Sequence, residues 1–322
     1  MEINMKRLEK LYKNIMRNGG FVNAHAHLDR ANTVDYFPDW EQYKFLKEKW
    51  KLVDRIKRGA TKESYKTRIH EALDDQIKMG VTAVMSFIDI DDVVDTKAID
   101  AACEVKQERK DIKLLTACQT LKGVINPGIQ AIIIENIEKF DIIGSLPSAD
   151  RDPNSHHLDI VMGWAKEYGK RLHVHVDQLN TPEERETELL ARKTMQHGLE
   201  GQVTAVHGIS IASHKKSYRE EVYKMCNDAG VSFITCPSAW IDHPRREDLV
   251  PSHNAVTPVD ELLEWDLTVA IGSDNIHDIY KPYCNGDMMF ELRLLLESCK
   301  LYIPDTLMHI ATTNGKKVLG IL

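Results

Sequence analysis

Histidines at positions 25, 27, 175 and 207 and an aspartate at 274 stand at or near the ends of four short apolar runs, VNAHAH, LHVHV, VTAVH and VAIGSD. The runs have strand character, and each polar residue falls about where its strand would stop. His25 and His27 are two apart, which on a strand turns both imidazoles to one face. Two neutral imidazoles side by side can share one borderline metal, zinc or ferrous iron. A lone HxH is most simply a surface strand with two incidental histidines. An ordered set of metal-ligand types on four strand ends points instead to one built site.

The elements that would carry these residues alternate along the chain. Strand patterns fall at 21–29, 81–88, 113–119, 141–147, 171–177, 202–208, 231–237 and 267–274. Helical patterns lie between them at 62–79, 96–109, 128–138, 155–168, 183–199, 214–229 and 258–265, with further helices at 285–298 and 304–318. Gly80, Gly169 and Gly230 each stand where a helix would stop before a strand. Eight strands alternating with helices predict α/β architecture and a parallel sheet, and eight is the number that closes a (β/α)8 TIM barrel. A doubly wound open sheet is the alternative, but no Gly-rich phosphate loop follows the first strand. Barrel enzymes gather catalytic residues at the C-terminal ends of strands, where all five residues stand. One insertion breaks the even spacing. Residues 30–60 carry Tyr36, Phe37, Trp40, Tyr43, Phe45 and Trp50 among many lysines, which suits a lid or pocket wall, or equally a helix packed on the surface.

Bulk properties narrow the class. The 322 residues are 43% hydrophobic and 28% charged, enough for one large core in a single domain over 1–322. A formal charge of −7 and a pI near 6.1 argue against a sequence-independent nucleic-acid binder. No run is long enough for a membrane span, and the N-terminus lacks a signal-peptide core. Residues 4–18 read instead as a short amphipathic helix (Met5, Leu8, Leu11, Tyr12, Ile15) ending at Gly19–Gly20. The expected partner is a small-molecule substrate, with a homo-oligomer permitted and a cytoplasmic location by default. Six cysteines without CxxC spacing are expected as buried small hydrophobes; Cys236, ending FITCP, is the one placed to face a pocket.

The motifs HAHLD, HVDQ, AVH and GSDN, in this order, resemble the amidohydrolase superfamily, and within it the cytosine deaminase group that includes isopropylammelide hydrolases. The resemblance runs from about residue 20 to residue 318. It implies that His25, His27, His175 and Asp274 bind one divalent metal, Zn2+ or Fe2+, which acidifies a water. It further implies that Asp274 takes that water's proton and that His207 stabilises the charge developing beside it. Members with two metals often bridge them with a residue after strand four. Ser145-Leu146-Pro147 stands there, so a single metal is expected.

One position departs from the pattern. The deaminase group carries a proton-shuttling glutamate three residues after the strand-five histidine, and here that residue is Gln178. A glutamine donates and accepts hydrogen bonds but carries no proton near neutral pH. Asp177, two from His175, is a candidate substitute by strict alternation, as are His277 and Asp278. Gln119 matches the position where cytosine deaminases place a substrate-binding amide, and Trp240, Tyr280 and Asn275 are further candidates for contact with a flat ring. The expected activity is metal-dependent hydrolysis of a C–N bond in a small nitrogen-rich substrate, such as a cyclic amide, pyrimidine or triazine. The alternatives are a cytosine deaminase-like aminohydrolase with a substitute proton carrier, or a lapsed barrel that binds metal without turnover. The intact ligand set argues against the last. Resembling enzymes wrap a small β-sandwich around the barrel, and this sequence leads to the expectation of a bare barrel.

Overall fold

A computed structural model describes residues 2–43, 45–119, 121–150, 155–241 and 255–322. Its strands are β1 (Phe21–Ala26), β2 (Val81–Asp89), β3 (Lys113–Gln119), β4 (Ile143–Ser145), β5 (Leu172–Val176), β6 (Val203–His207), β7 (Ser232–Thr235) and β8 (Val269–Ile271). All ladders are parallel, β1-β2-β3 in one sheet and β4 to β8 in sequence order in the other. Single parallel bridges join the two sheets, Ala117 to Ile142 and Ala26 to Asp274. Helices fill the connections, among them Lys62–Lys78, Lys97–Glu108, His156–Glu167, Glu186–His197, Lys216–Asp228 and Met288–Ser298. Parallel strands need such crossovers because a tight turn cannot reverse the chain twice.

Side-chain alternation sorts the apolar residues into two layers. Phe21, Val84, Leu114, Val174 and Ala205 pack outward against helix faces that include Ile69, Leu73, Ala98 and Val161. Val22, Ala24, Met85, Phe87, Ile234 and Ala270 face one another within the strand layer and are closed from one end by Val318 and Leu319. Strands buried on both faces read as near-continuous apolar runs, as these do.

The 267–274 pattern is regular strand only over Val269–Ile271; beyond it the chain turns and keeps the single bridge from Asp274 to Ala26. Gly272 abuts His25 so closely that a Cβ there would meet His25 Cβ at 2.7 Å, and Asp274 adopts φ +59°. The expected helix 304–318 is two helices, Pro304–Ala311 and Thr313–Leu319. They break at Thr312, whose φ of −131° and ψ of −84° are not helical. The Thr312 hydroxyl donates back to Met308 O at 2.8 Å. In the insertion, the helix Leu46–Gly59 follows two short turns. Phe37, Val53 and Ile56 pack on Ile279 and Tyr280 of the loop after β8, a third apolar cluster joined by Trp40, Leu46 and Trp50. That cluster ties the insertion to the loop following the Asp274 strand.

Candidate active site

The four histidines and Asp274 converge, and each is at most 4% exposed. His25 Nε2 lies 3.2 Å and His27 Nε2 3.3 Å from Asp274 Oδ1. The main chain holds this arrangement, since Asp274 N donates to His25 O at 3.0 Å. On the other side of His25, the His175 and His207 rings lie with centroids 4.8 and 5.4 Å away. His175 donates Nδ1–H to Ser145 O at 3.1 Å, which leaves Nε2 as its free donor atom. Arg30, a donor only, places Nη2 2.7 Å from His27 Nδ1. Phe87 packs against His25 and His175, with centroids 4.9 and 4.5 Å away. His207 and Asp274 both take positive φ, +78° and +59°, uncommon for residues other than glycine.

The chemistry of the donors fits a metal. His25, His175 and His207 offer ligand atoms within 4.8 Å of one another, as do His25, His27 and Asp274. Burial, aided by neighbouring positive groups, drives the His27 and His175 pKa values well below the ordinary imidazole range, and that of His207 to about 3. These rings are neutral near pH 7 and have lone pairs to give. Burial alone would raise the Asp274 carboxyl, but hydrogen bonds from His25 and His27 and the Lys281 charge hold it well below the usual carboxylate range. His25 Nδ1 and His207 Nδ1 are buried without a hydrogen-bond partner among the described residues. Histidine nitrogens and one carboxylate form a set suited to a divalent cation.

A small cavity of about 40 Å³ opens onto this cluster. Gln119, Gln178, Asn275 and Tyr280 line it, beside His27, His175, His207 and Asp274. Gln119 Oε1, Gln178 Nε2 and Tyr280 Oη are buried without partners among the described residues. Asn275 lines the cavity and also donates to Asp278 Oδ2. The sequence reading missed Arg30, Leu46, Leu121, Leu146 and Ile209 in the wall; Leu46 and Trp50 bring the insertion into the pocket. The arginine directly after HAHLD was a legible signal, while the leucines looked like any core residue.

Two expectations are corrected. Trp240 is 2% exposed within the core, with Nε1 donating to Thr257 Oγ1 at 2.9 Å. The turn Pro237–Ile241 presents Ala239 to the cavity in its place. Asp177 does not follow strand alternation, because its φ of +54° turns the chain. Its carboxylate accepts from the backbone N–H of Glu186 and of Thr187, at 2.8 and 3.2 Å, at the start of the helix Glu186–His197. His173 lies beneath the site and bonds Val318 O through Nε2 at 3.1 Å. Among the described residues the free cysteines form no site, and Cys236 is fully buried. No helix among the described residues is long and apolar enough to cross a membrane.

A model of the amidohydrolase family matches residues 38–320, most of the chain. The chain belongs to the amidohydrolase family. As an amidohydrolase it is a hydrolase of carbon–nitrogen bonds other than peptide bonds, and it sits in the cytosine deaminase-like group. An uncharacterized protein of Haemophilus influenzae is 44% identical over 254 residues, 77% of this chain and 92% of that protein. The N-isopropylammelide isopropyl amidohydrolase of Pseudomonas sp. strain ADP is 28% identical over 315 residues, 94% of this chain and 74% of its own. Among solved structures, 5-methylcytosine deaminase from Klebsiella pneumoniae liganded with 5-fluorocytosine superposes with a TM-score of 0.86 at 26% identity. That match covers 94% of this chain and 75% of the deaminase.

Proposed function

We propose that this amidohydrolase is a closed (β/α)8 barrel that hydrolyses a C–N bond in a small cyclic amide, pyrimidine- or triazine-like molecule. One divalent metal, Zn2+ or Fe2+, would be held by His25, His27, His175 and Asp274. The bridges joining the two sheets support closure of the barrel. One observation carries the functional reading: Asp274 is the only carboxylate lining the cavity among the described residues, and the position expected to carry a second holds Gln178.

A bound metal supplies a water acidified enough to attack near neutral pH. The residues of the chain do the remaining work. Asp274 takes the water's proton and passes it to the departing nitrogen. His207, neutral at pH 7, sits beside the His25 and His175 rings, where it can meet charge developing on the attacked carbon's oxygen. Gln119 Oε1 offers an acceptor and Gln178 Nε2 a donor, a pair complementary to the N–H and C=O of a ring amide. Tyr280 Oη offers a further donor. Leu46, Trp50, Leu121 and Ile209 exclude water from the bound ring.

A deaminase with a substitute proton carrier is the second reading, favoured by the likeness to 5-methylcytosine deaminase. Asp278, which accepts a hydrogen bond from the cavity-lining Asn275, would be the carrier, reaching the ring through water. It is fully buried, and burial, partly offset by Arg30, raises its carboxyl to about 6. The test is metal analysis of the purified protein with a hydrolysis screen over pyrimidines, triazines, lactams and ureas, in wild type and Gln178→Glu. The first reading expects ring-amide or N-substituted-ring hydrolysis by wild type, with aminopyrimidine deamination appearing only in the variant. Wild-type deamination abolished by Asp278→Asn would favour the second. A metal-free protein that cannot be reconstituted overturns both.

A further inference from the structure

Behind Asp274, away from the cavity lining, lies a buried ammonium. Lys281 is 6% exposed, and its Nζ stands 3.9 Å from Asp274 Oδ2. The same Nζ donates to Ser238 Oγ at 3.0 Å, and Ser238 N donates to Glu291 Oε2 at 2.8 Å. Glu291 is fully buried on the helix Met288–Ser298. The loop itself is braced to place this lysine. Asp278 Oδ1 accepts from Tyr280 N and Lys281 N at 2.9 and 3.1 Å, folding 278–281 back toward the strand end. Burying an ammonium is costly unless carboxylates and hydroxyls surround it, so its seat between Asp274 and Glu291 is a built feature.

The two oxygens of Asp274 therefore stand in different surroundings. Oδ1 faces His25 Nε2 and His27 Nε2, while Oδ2 faces the lysine. We propose that Lys281 is a positioning residue that fixes the rotation of this carboxylate, drawing Oδ2 toward the ammonium so that Oδ1 is presented to the imidazole cluster and its metal. The inference rests on the reading of Asp274 as a metal ligand. A carboxylate without this brace can rotate about its Cβ–Cγ bond and exchange its oxygens, since no other cation is within 4 Å of Oδ2 among the described residues.

Cobalt(II) binding tests it without a substrate. Co2+ is added to the metal-stripped full chain, and visible absorption reports the ligand field while competition with a chelating dye gives affinity. Wild type is expected to show a defined d–d spectrum that His25→Ala abolishes. Lys281→Met, which keeps most of the side-chain length, should change the band shape and weaken Co2+ binding about tenfold, while Lys281→Arg should restore the wild-type band. Ser238→Ala removes the hydroxyl anchor but keeps the charge, and should shift the spectrum the same way by less. It decides the matter alone if Lys281→Met does not fold. Removing a nearby cation by itself predicts tighter metal binding. Unchanged spectra with equal or tighter Co2+ binding in Lys281→Met and Ser238→Ala would therefore overturn the positioning role. Absence of any wild-type Co2+ band would overturn the metal reading itself, and the inference with it.

Discussion

The Asp177 carboxylate is bound by Thr187, whose hydroxyl donates to Oδ2 at 2.5 Å and whose backbone N–H reaches the same oxygen at 3.2 Å. The carboxylate adjacent to Gln178 in sequence thus anchors the first turn of a helix and is withdrawn from the cavity. Asp177→Asn keeps one acceptor oxygen but loses the charge, and should lower the unfolding free energy by about 1–2 kcal/mol. Turnover should stay within about threefold of wild type, because Asp177 touches nothing in the pocket. Urea titration and the assay from the hydrolysis screen check both; a large loss of kcat in a folded variant would return Asp177 to the proton path.

Glu291 gives the pH dependence of stability a definite sign. Burial raises its carboxyl from 4.5 to about 7, and Lys281 offsets this only in part. The native state thus holds the proton more tightly than the unfolded chain does. The contribution is complete below about pH 4.5 and fades as pH rises through about 7, on the order of 3 kcal/mol. In Glu291→Gln that fading is absent, so the variant should gain on wild type between about pH 5 and pH 8. Paired denaturant titrations at the two pH values measure the gain; a difference that does not move with pH would show that the Glu291 proton is not linked to folding.

Tyr280→Phe separates recognition from folding. Its buried hydroxyl has no partner among the described residues, so removing it should leave the free protein as stable as before or up to about 1 kcal/mol more so. KM for a ring substrate should rise about tenfold, the value of one lost hydrogen bond. An unchanged KM would mean that the hydroxyl faces away from the substrate.

Gln119→Leu keeps the size of the side chain and removes its acceptor. The expected result is a fall in kcat/KM of about 10- to 100-fold with little change in melting temperature, measured by steady-state kinetics and a thermal scan. Loss of thermal stability with normal kinetics would make Gln119 a structural residue.

Part of this was legible in the sequence because period and chemistry coincide. His25 lies in β1 and His27 just past its end, and His175 and His207 stand at or next to the ends of β5 and β6, so residue type and strand end together marked the cluster. Asp177 and Trp240 were misplaced for a local reason, since both stand just past a strand, where one positive φ or one short turn undoes alternation. Leu46 and Trp50 were ambiguous because composition cannot say which side of an amphipathic helix meets a cavity. The Lys281–Ser238–Glu291 group was invisible, because its spacing follows from how a loop and a helix meet in space and no periodic pattern records it.

The bridge between Ala26 and Asp274 also bears on how the protein is made. His25 and Asp274 are separated by 249 residues, so at typical rates of synthesis the first imidazole pair waits roughly 12 to 50 s for its carboxylate to leave the ribosome. During that interval the nascent chain offers two adjacent histidines but not the complete donor set. In the proposed reading, capture of a metal by all its ligands would follow the docking of Asp274 beside Ala26, so a chain halted before its last strand would lack one of them.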